Sequence, residues 1–214
     1  MHDVVDRLIS IQKEIQSKKS HAEIVVISKT FPMSKILPLI NCGHKNFGEN
    51  KVQEAIEKWT SVKNDFKEIK LHLVGKLQTN KVKYAIPLFD YIHSLDNRKL
   101  AEKISNEQEK KKFKPKIFIQ INIGNESQKN GIEIESLENF YNICTNELKL
   151  DIIGLMCLPP NDQLPSIYFK KMQELVNKIK VKDLSMGMSN DYVEAIKFKS
   201  TFLRIGSKIF GSRI

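Results

Sequence analysis

Lys29 stands directly behind the apolar run Val25-Val26-Ile27-Ser28 and just ahead of Phe31-Pro32, which stops a strand. A lysine that loses its water becomes less basic, and a neutral amine condenses with an aldehyde to form a Schiff base. The alternative is a side chain that reaches out into solvent, as most of the other lysines do. Near the opposite end, Arg204 lies inside the apolar run Phe202-Leu203-Arg204-Ile205. A buried guanidinium cannot deprotonate, so it must be paired or hydrogen-bonded, and a pyridine ring nitrogen is one possible partner. Gly206-Ser207 follows at once and opens a last apolar turn, while Ser189 precedes Asn190-Asp191 at another helix start. Together these make a seat for an anion, although each taken singly reads equally well as a capping serine or a turn glycine. Amine, ring-nitrogen partner and phosphate seat in one chain describe a pyridoxal 5'-phosphate (PLP) site.

For these residues to meet, the elements between them must bring the two ends of the chain together. Val4, Leu8, Ile11 and Ile15 recur at helical spacing, which predicts an amphipathic helix ahead of everything else. Short apolar runs at 24–28, 46–48, 71–75, 91–94, 117–122, 152–156, 183–186 and 202–205 then alternate with helical stretches. The helices are expected at 34–42, 51–62, 79–86, 97–111, 134–147, 167–179 and 191–198, with Gly43 closing the first and Asn97 capping the fourth. Eight strands separated by crossover helices imply a parallel sheet, and eight βα units suffice to close it. The predicted fold is therefore a single (β/α)8 TIM barrel over residues 1–214, in the α/β class, with an extra N-terminal helix. An open doubly wound sheet is the other arrangement such a pattern allows. It is disfavoured because no GxGxxG follows the first strand and no GxxxxGK[ST] occurs. In a barrel, functional groups collect where strands end. That rule carries Lys29 to the mouth and sets it beside the loops after strands 7 and 8.

Composition narrows the field. The formal charge is +10, yet only four of the 35 basic residues are arginines, and the lysines are spread along the whole chain. A nucleic-acid surface leans on clustered arginine, so none is expected here. Cys42, Cys144 and Cys157 are far apart and show no zinc-ligand spacing. The charged N-terminus lacks the apolar stretch of a signal peptide, and no run approaches the ~18 apolar residues of a membrane span. The expectation is a soluble, cytoplasmic protein with no membrane and no nucleic-acid partner.

Several stretches also resemble one known family. They are Phe47-Gly48-Glu49-Asn50-Lys51-Val52-Gln53-Glu54 and His72-Leu73-Val74-Gly75-Lys76-Leu77-Gln78-Thr79-Asn80-Lys81. Gly154-Leu155-Met156 with Pro159-Pro160, residues 184–189, and Arg204-Ile205-Gly206 with Ile209-Phe210-Gly211-Ser212-Arg213 complete the set. In that order they are similar to the pyridoxal phosphate homeostasis proteins (the YggS/PROSC type), which are related to the N-terminal domain of alanine racemase. The resemblance implies a barrel that holds PLP covalently without established turnover, in a role in vitamin B6 homeostasis. Lys29 would be the Schiff-base lysine, and Asn50 would lie close to the cofactor. Ser189, Gly206 and Ser207 would hold the phosphate and Arg204 would face the pyridine nitrogen, with His72 and Met186 near the ring. Apo forms of PLP-dependent enzymes would be transient partners and the chain a monomer.

Two departures accompany the match. The family usually carries Gly before the Ser-Thr pair that enters the last strand, where this chain has Lys199-Ser200-Thr201, and the loop after Pro159-Pro160 is shorter than usual. A PLP-dependent amino-acid racemase is the alternative activity, since the same barrel serves it in a larger protein. Racemisation needs an acid/base on each face of the substrate. By the same resemblance the second one is a tyrosine of a C-terminal domain, which is not expected in a chain that ends eight residues after Gly206. An arginine facing the ring nitrogen also disfavours its protonation and weakens the electron sink. The expected role is therefore non-enzymatic.

Overall fold

Eight parallel strands pair in chain order, and the last returns to the first to close a barrel. They are β1 (Glu23–Ile27), β2 (Asn46–Glu49), β3 (Lys70–Leu73), β4 (Tyr91–Leu95), β5 (Lys116–Ile121), β6 (Asp151–Cys157), β7 (Asp183–Met188) and β8 (Phe202–Ile205). The computed structural model describes residues 3–126, 130–160 and 164–211. The end of the last signature stretch, Ser212-Arg213, and the loop behind Pro160 lie outside the described residues. The closed sheet agrees with the predicted (β/α)8 barrel and excludes the open one.

The helices follow the sequence periodicity. They are α1 (Asp3–Ser17), α2 (Met33–Asn41), α3 (Val52–Asp65), α4 (Val82–Ala85), α5 (Arg98–Lys111), α6 (Leu137–Asn142), α7 (Pro165–Ile179), α8 (Tyr192–Lys197) and α9 (Ser207–Phe210). Asn97 caps α5 as expected, accepting the Leu100 N–H at 2.9 Å, and Gly43 closes α2 with φ +89°. Two stretches depart from the uniform helices predicted. Residues 79–86 begin as a 3₁₀ turn before α4, and 134–147 pass from a 3₁₀ turn through α6 into a π turn.

Strand alternation sorts the side chains into two cores. Outward residues such as Val26, Phe47, Leu71, Leu73 and Leu203 pack under the helices in the main cluster. Inward residues Val25, Phe118, Met156 and Phe202 fill the barrel, with Ile27 and Tyr91 against them. The extra helix α1 buries Leu8, Ile11 and Ile15, each worth about 1.5–3 kcal/mol if fully withdrawn from water. Its Arg7 donates to the Ile209 carbonyl at 3.4 Å, and Glu14 accepts from the Tyr192 hydroxyl. The first helix thus clasps α8 and α9, the last turns of the described chain.

The turn into β8 shows what the missing glycine costs. Lys199 takes φ +60°, in the left-handed region that favours glycine. It is held there because Ser200 Oγ donates to the Met186 carbonyl at 2.7 Å and Thr201 Oγ1 accepts the Leu184 N–H at 2.9 Å. Replacing Lys199→Gly is expected to stabilise the protein by roughly 0.5–1 kcal/mol, strain relief exceeding the added chain entropy. An upward shift of the urea midpoint without change of slope would bear this out.

Candidate functional site

A cavity of about 400 Å³ opens at the carboxyl ends of β1, β2, β7 and β8. Lys29, Asn50, Ser189, Arg204, Gly206 and Ser207 all line it, so the fold brings together all six residues singled out from the sequence. Ile27, Phe31, Val74, Leu158 and Met188 supply apolar wall between the polar groups, the usual make-up of a small-molecule site.

Lys29 is aimed by the backbone on either side of it. Thr30 sits at φ +68°, a strained value for a β-branched residue, and its N–H donates to Glu54 Oε1 at 2.5 Å. Burial pushes the Glu54 carboxyl up, but the Thr30 N–H and Lys58 outweigh it and leave it below its ordinary value. On the other side, the Ser28 carbonyl accepts from Lys58 Nζ at 3.0 Å. Lys58 also reaches Glu49 and Glu54, each at 3.0 Å. Glu49 is fully buried, and its Oε1 further accepts from Ser28 Oγ at 2.7 Å and from Trp59 Nε1 at 2.9 Å. One lysine on α3 therefore binds the exits of β1 and β2 into a unit. Sequence reasoning quoted Glu49 and Glu54 within a signature stretch and passed over Lys58. The Glu54–Lys58 spacing of four was the available signal, since it places them on one helix face.

Asn50 depends on a neighbouring glycine. A Cβ on Gly75 would lie 2.3 Å from the Asn50 carbonyl oxygen, so only a bare backbone lets β3 end this close to β2.

Arg204 is 5% exposed, and no carboxylate among the described residues forms an ion pair with it. Neutral oxygens hold it instead. Nη1 donates to the Ser185 carbonyl at 2.6 Å and to Ser185 Oγ at 2.7 Å, and Nη2 donates to the Cys157 carbonyl at 2.7 Å. Burial draws its pKa down, but a guanidinium remains charged. Of its five N–H groups, two have no acceptor among the described residues, and the residue faces the cavity it lines. A cation so placed suits a ligand carrying a hydrogen-bond acceptor.

At the anion end, Lys208 N–H approaches Ser189 Oγ at 3.3 Å, which joins the loop after β7 to the first turn of α9. With four residues, α9 has little dipole to offer, and the seat relies on serine hydroxyls and backbone N–H groups. A Cβ on Gly206 would come within 3.3 Å of Ile27, so glycine keeps this floor open. The nearby Asp191 is turned to its own loop, accepting the Met188 N–H at 2.5 Å. An amine, two hydroxyls, open backbone and a charged donor with no ion-pair partner among the described residues form a donor set that fits PLP.

Two expectations need correction. His72 and Met186 do not line the cavity. Met186 follows inward-facing Ser185 on β7, so alternation turns it outward into the core under the helices. His72 does point into the barrel, but a layer below the mouth, bonded to His93 and Asn46.

The sequence matches the family model of the alanine racemase N-terminal domain over residues 7–214. A pyridoxal phosphate homeostasis protein of Aquifex aeolicus is 34% identical, with 98% of this chain and 95% of that protein covered. The solved structure of PipY from Synechococcus elongatus PCC7942 with PLP bound superposes with a TM-score of 0.87 at 29% identity, covering 97% of this chain and 100% of that one. An alanine racemase of Clostridium difficile 630 shares the fold, with a TM-score of 0.77 at 14% identity, over 99% of this chain and 57% of that one. The protein belongs to the alanine racemase N-terminal-domain family and, within it, to the pyridoxal phosphate homeostasis proteins.

Two measurements probe this architecture. Lys58→Met leaves Glu49 as a buried carboxylate without its cation and is expected to cost about 3 kcal/mol. Adding Glu49→Gln should recover part of that loss, whereas additive losses in urea denaturation would show the pair to be uncoupled. The second concerns pH. Burial, aided by His44 and Lys63, lowers the His72 pKa from 6.5 to about 3, and burial lowers His93 well below its usual value. The unfolded chain then binds protons that the folded chain refuses. Stability is complete above pH 6.5 and is expected to fall as pH drops towards 3, a slope that urea midpoints at several pH values would reveal.

Proposed function

We propose that this protein holds PLP in the β1/β2/β7/β8 cavity, with Lys29 as its covalent anchor, as part of intracellular PLP homeostasis. The observation that carries the reading is a buried guanidinium with N–H donors to spare and no ion-paired carboxylate among the described residues, lining the same cavity as an amine. The PLP-bound PipY structure, in a relative of the same fold, supports the choice of ligand. Lys29 Nζ condenses with the aldehyde carbon, forming one C=N bond and releasing one water. Arg204 offers a hydrogen bond to the pyridine nitrogen and, being permanently charged, keeps that nitrogen unprotonated. Ser189, Ser207 and the open backbone at Gly206 receive the phosphate, and Asn50 flanks the ring. PLP when bound supplies an electrophilic aldehyde and a conjugated ring.

The role is retention rather than turnover. Racemisation needs a second acid/base opposite the lysine; the carboxylate among the described residues lining the cavity, Asp191, is engaged by the Met188 N–H of its own loop, and no tyrosine, histidine or cysteine lines it there. Arg204 in its place also withholds the protonated ring nitrogen that stabilises a carbanion. We place the protein in the cytoplasm as a monomer that meets apo PLP enzymes transiently. No helix among the described residues is long and apolar enough to cross a membrane.

Loaded protein reduced with borohydride should carry a single PLP adduct on the peptide that contains Lys29. Lys29→Ala should lose both the adduct and the visible absorption of the covalent link while remaining folded, since the side chain leaves no core cavity. An adduct retained at full occupancy on another lysine would overturn the assignment. Enzyme-like exchange of Cα hydrogen for deuterium with inversion of single amino-acid enantiomers would overturn the non-catalytic role.

A further inference from the structure

The barrel interior carries a second polar system that the cavity residues do not account for. Arg204 Nη1 donates to Ser185 Oγ at 2.7 Å, and Ser185 Oγ lies 2.8 Å from His93 Nδ1. His93 Nε2 lies 2.9 Å from His72 Nδ1, and His72 Nε2 lies 3.1 Å from Asn46 Oδ1. Asn46 Nδ2 donates to Glu23 Oε2 at 2.7 Å. Six residues on six strands thus link the mouth of the barrel to its opposite rim, where Glu23 is exposed.

The carboxylate end sets the direction of every bond in the line, and the guanidinium end agrees with it. A guanidinium only donates, which leaves the Ser185 hydrogen available to His93 Nδ1. His93 then has its proton on Nε2 and donates to His72 Nδ1, and His72 has its proton on Nε2 and donates to Asn46 Oδ1. From the other end, a carboxylate only accepts. It draws the Asn46 amide NH2 and turns the amide oxygen to His72. The carboxylate end fixes these tautomers for neutral histidines, and the guanidinium end is compatible with them. Each link presents a lone pair towards Arg204 and a hydrogen towards Glu23, so the dipoles add with their negative ends at the buried cation. Aromatic rings wall the line: Tyr91 stacks on His72 with centroids 4.2 Å apart, and Phe118 on His93 at 4.4 Å.

We infer that this one-directional hydrogen-bond chain, running from Glu23 through Asn46, His72, His93 and Ser185, orients Arg204 and supplies the field that a counter-ion would otherwise provide. Its members are positioning residues that act through Arg204. The chain itself stands on the geometry alone. Its consequence for the cofactor rests on the proposed PLP site.

The experiment has two arms. In the unloaded protein labelled with 15N-histidine, long-range 1H–15N correlation at pH 7 should find His72 and His93 neutral, both protonated at Nε2. An Nδ1–H tautomer or an imidazolium at either position overturns the chain, whatever binds in the cavity. In the loaded protein, His93→Leu should shift the absorption maximum and speed PLP loss by roughly tenfold, the loss of about one hydrogen bond's support to Arg204. His93→Gln, which can accept from Ser185 and donate to His72, should restore most of both. A folded His93→Leu protein with wild-type spectrum and retention, or a Gln variant no better than Leu, overturns the positioning role. If His93→Leu does not fold, the tautomers of the wild-type protein still decide. Failure of the wild-type protein to take up PLP would sink the cofactor reading while leaving the tautomer result to judge the chain.

Discussion

A positive charge is buried in this barrel with no carboxylate among the described residues in ion-pair contact with it. Burying an ion costs several kcal/mol even after the surroundings relax, and a neighbouring Asp or Glu is the common remedy. Arg204 is met instead by two backbone carbonyls and a serine hydroxyl, which satisfy three of its hydrogens and none of its net charge. Arg204 lines the cavity with two N–H groups that have no acceptor among the described residues. A carboxylate in Ser185's place would quench both, and the site would lose its pull on a ligand acceptor. Much of the surrounding structure follows from keeping this cation fixed, dry and unneutralised.

Two networks share that work on opposite faces of the sheet. On the outer face, Lys58 ties Ser28, Glu49 and Glu54 together and so sets the direction in which Lys29 leaves β1. On the inner face, the line of polar residues from Ser185 to Glu23 ends on Arg204. They remain separate because strand alternation sends Glu49 outward and its β2 neighbour Asn46 inward. The amine and the guanidinium are thereby placed by independent supports and meet only across the cavity. Phe31 on the β1 loop stacks on Phe210 of α9 at 4.3 Å, which joins the two rims directly.

Much of this was legible in the sequence. Short apolar runs marked every strand, most faintly at 46–48 and 183–186, where no β-branched residue occurs, because closure into a parallel barrel buries both faces of each strand. The rule that strand ends carry function led to Lys29, Ser189, Gly206 and Ser207, a guanidinium inside an apolar run pointed to Arg204, and the family resemblance alone implied Asn50. What escaped depends on contacts across strands. Lys58 looks like any other lysine until β1, β2 and α3 close around it. His72 could be assigned to the barrel but not to a layer, since depth along the axis depends on the stagger between strands, which sequence does not state. His93 and Ser185 drew no attention because each is an ordinary residue whose meaning comes from the next link. Lys199 was visible as a departure from family habit, and its positive φ shows that Ser200 and Thr201 impose the turn that glycine usually permits.

The most direct test is a crystal structure of the protein saturated with PLP. The account predicts density continuous from Lys29 Nζ to the ring, the ring nitrogen within hydrogen-bond reach of Arg204, and the phosphate against Ser189 and Ser207. A ring bound elsewhere, or an Arg204 swung away from the cavity to a carboxylate, would contradict it.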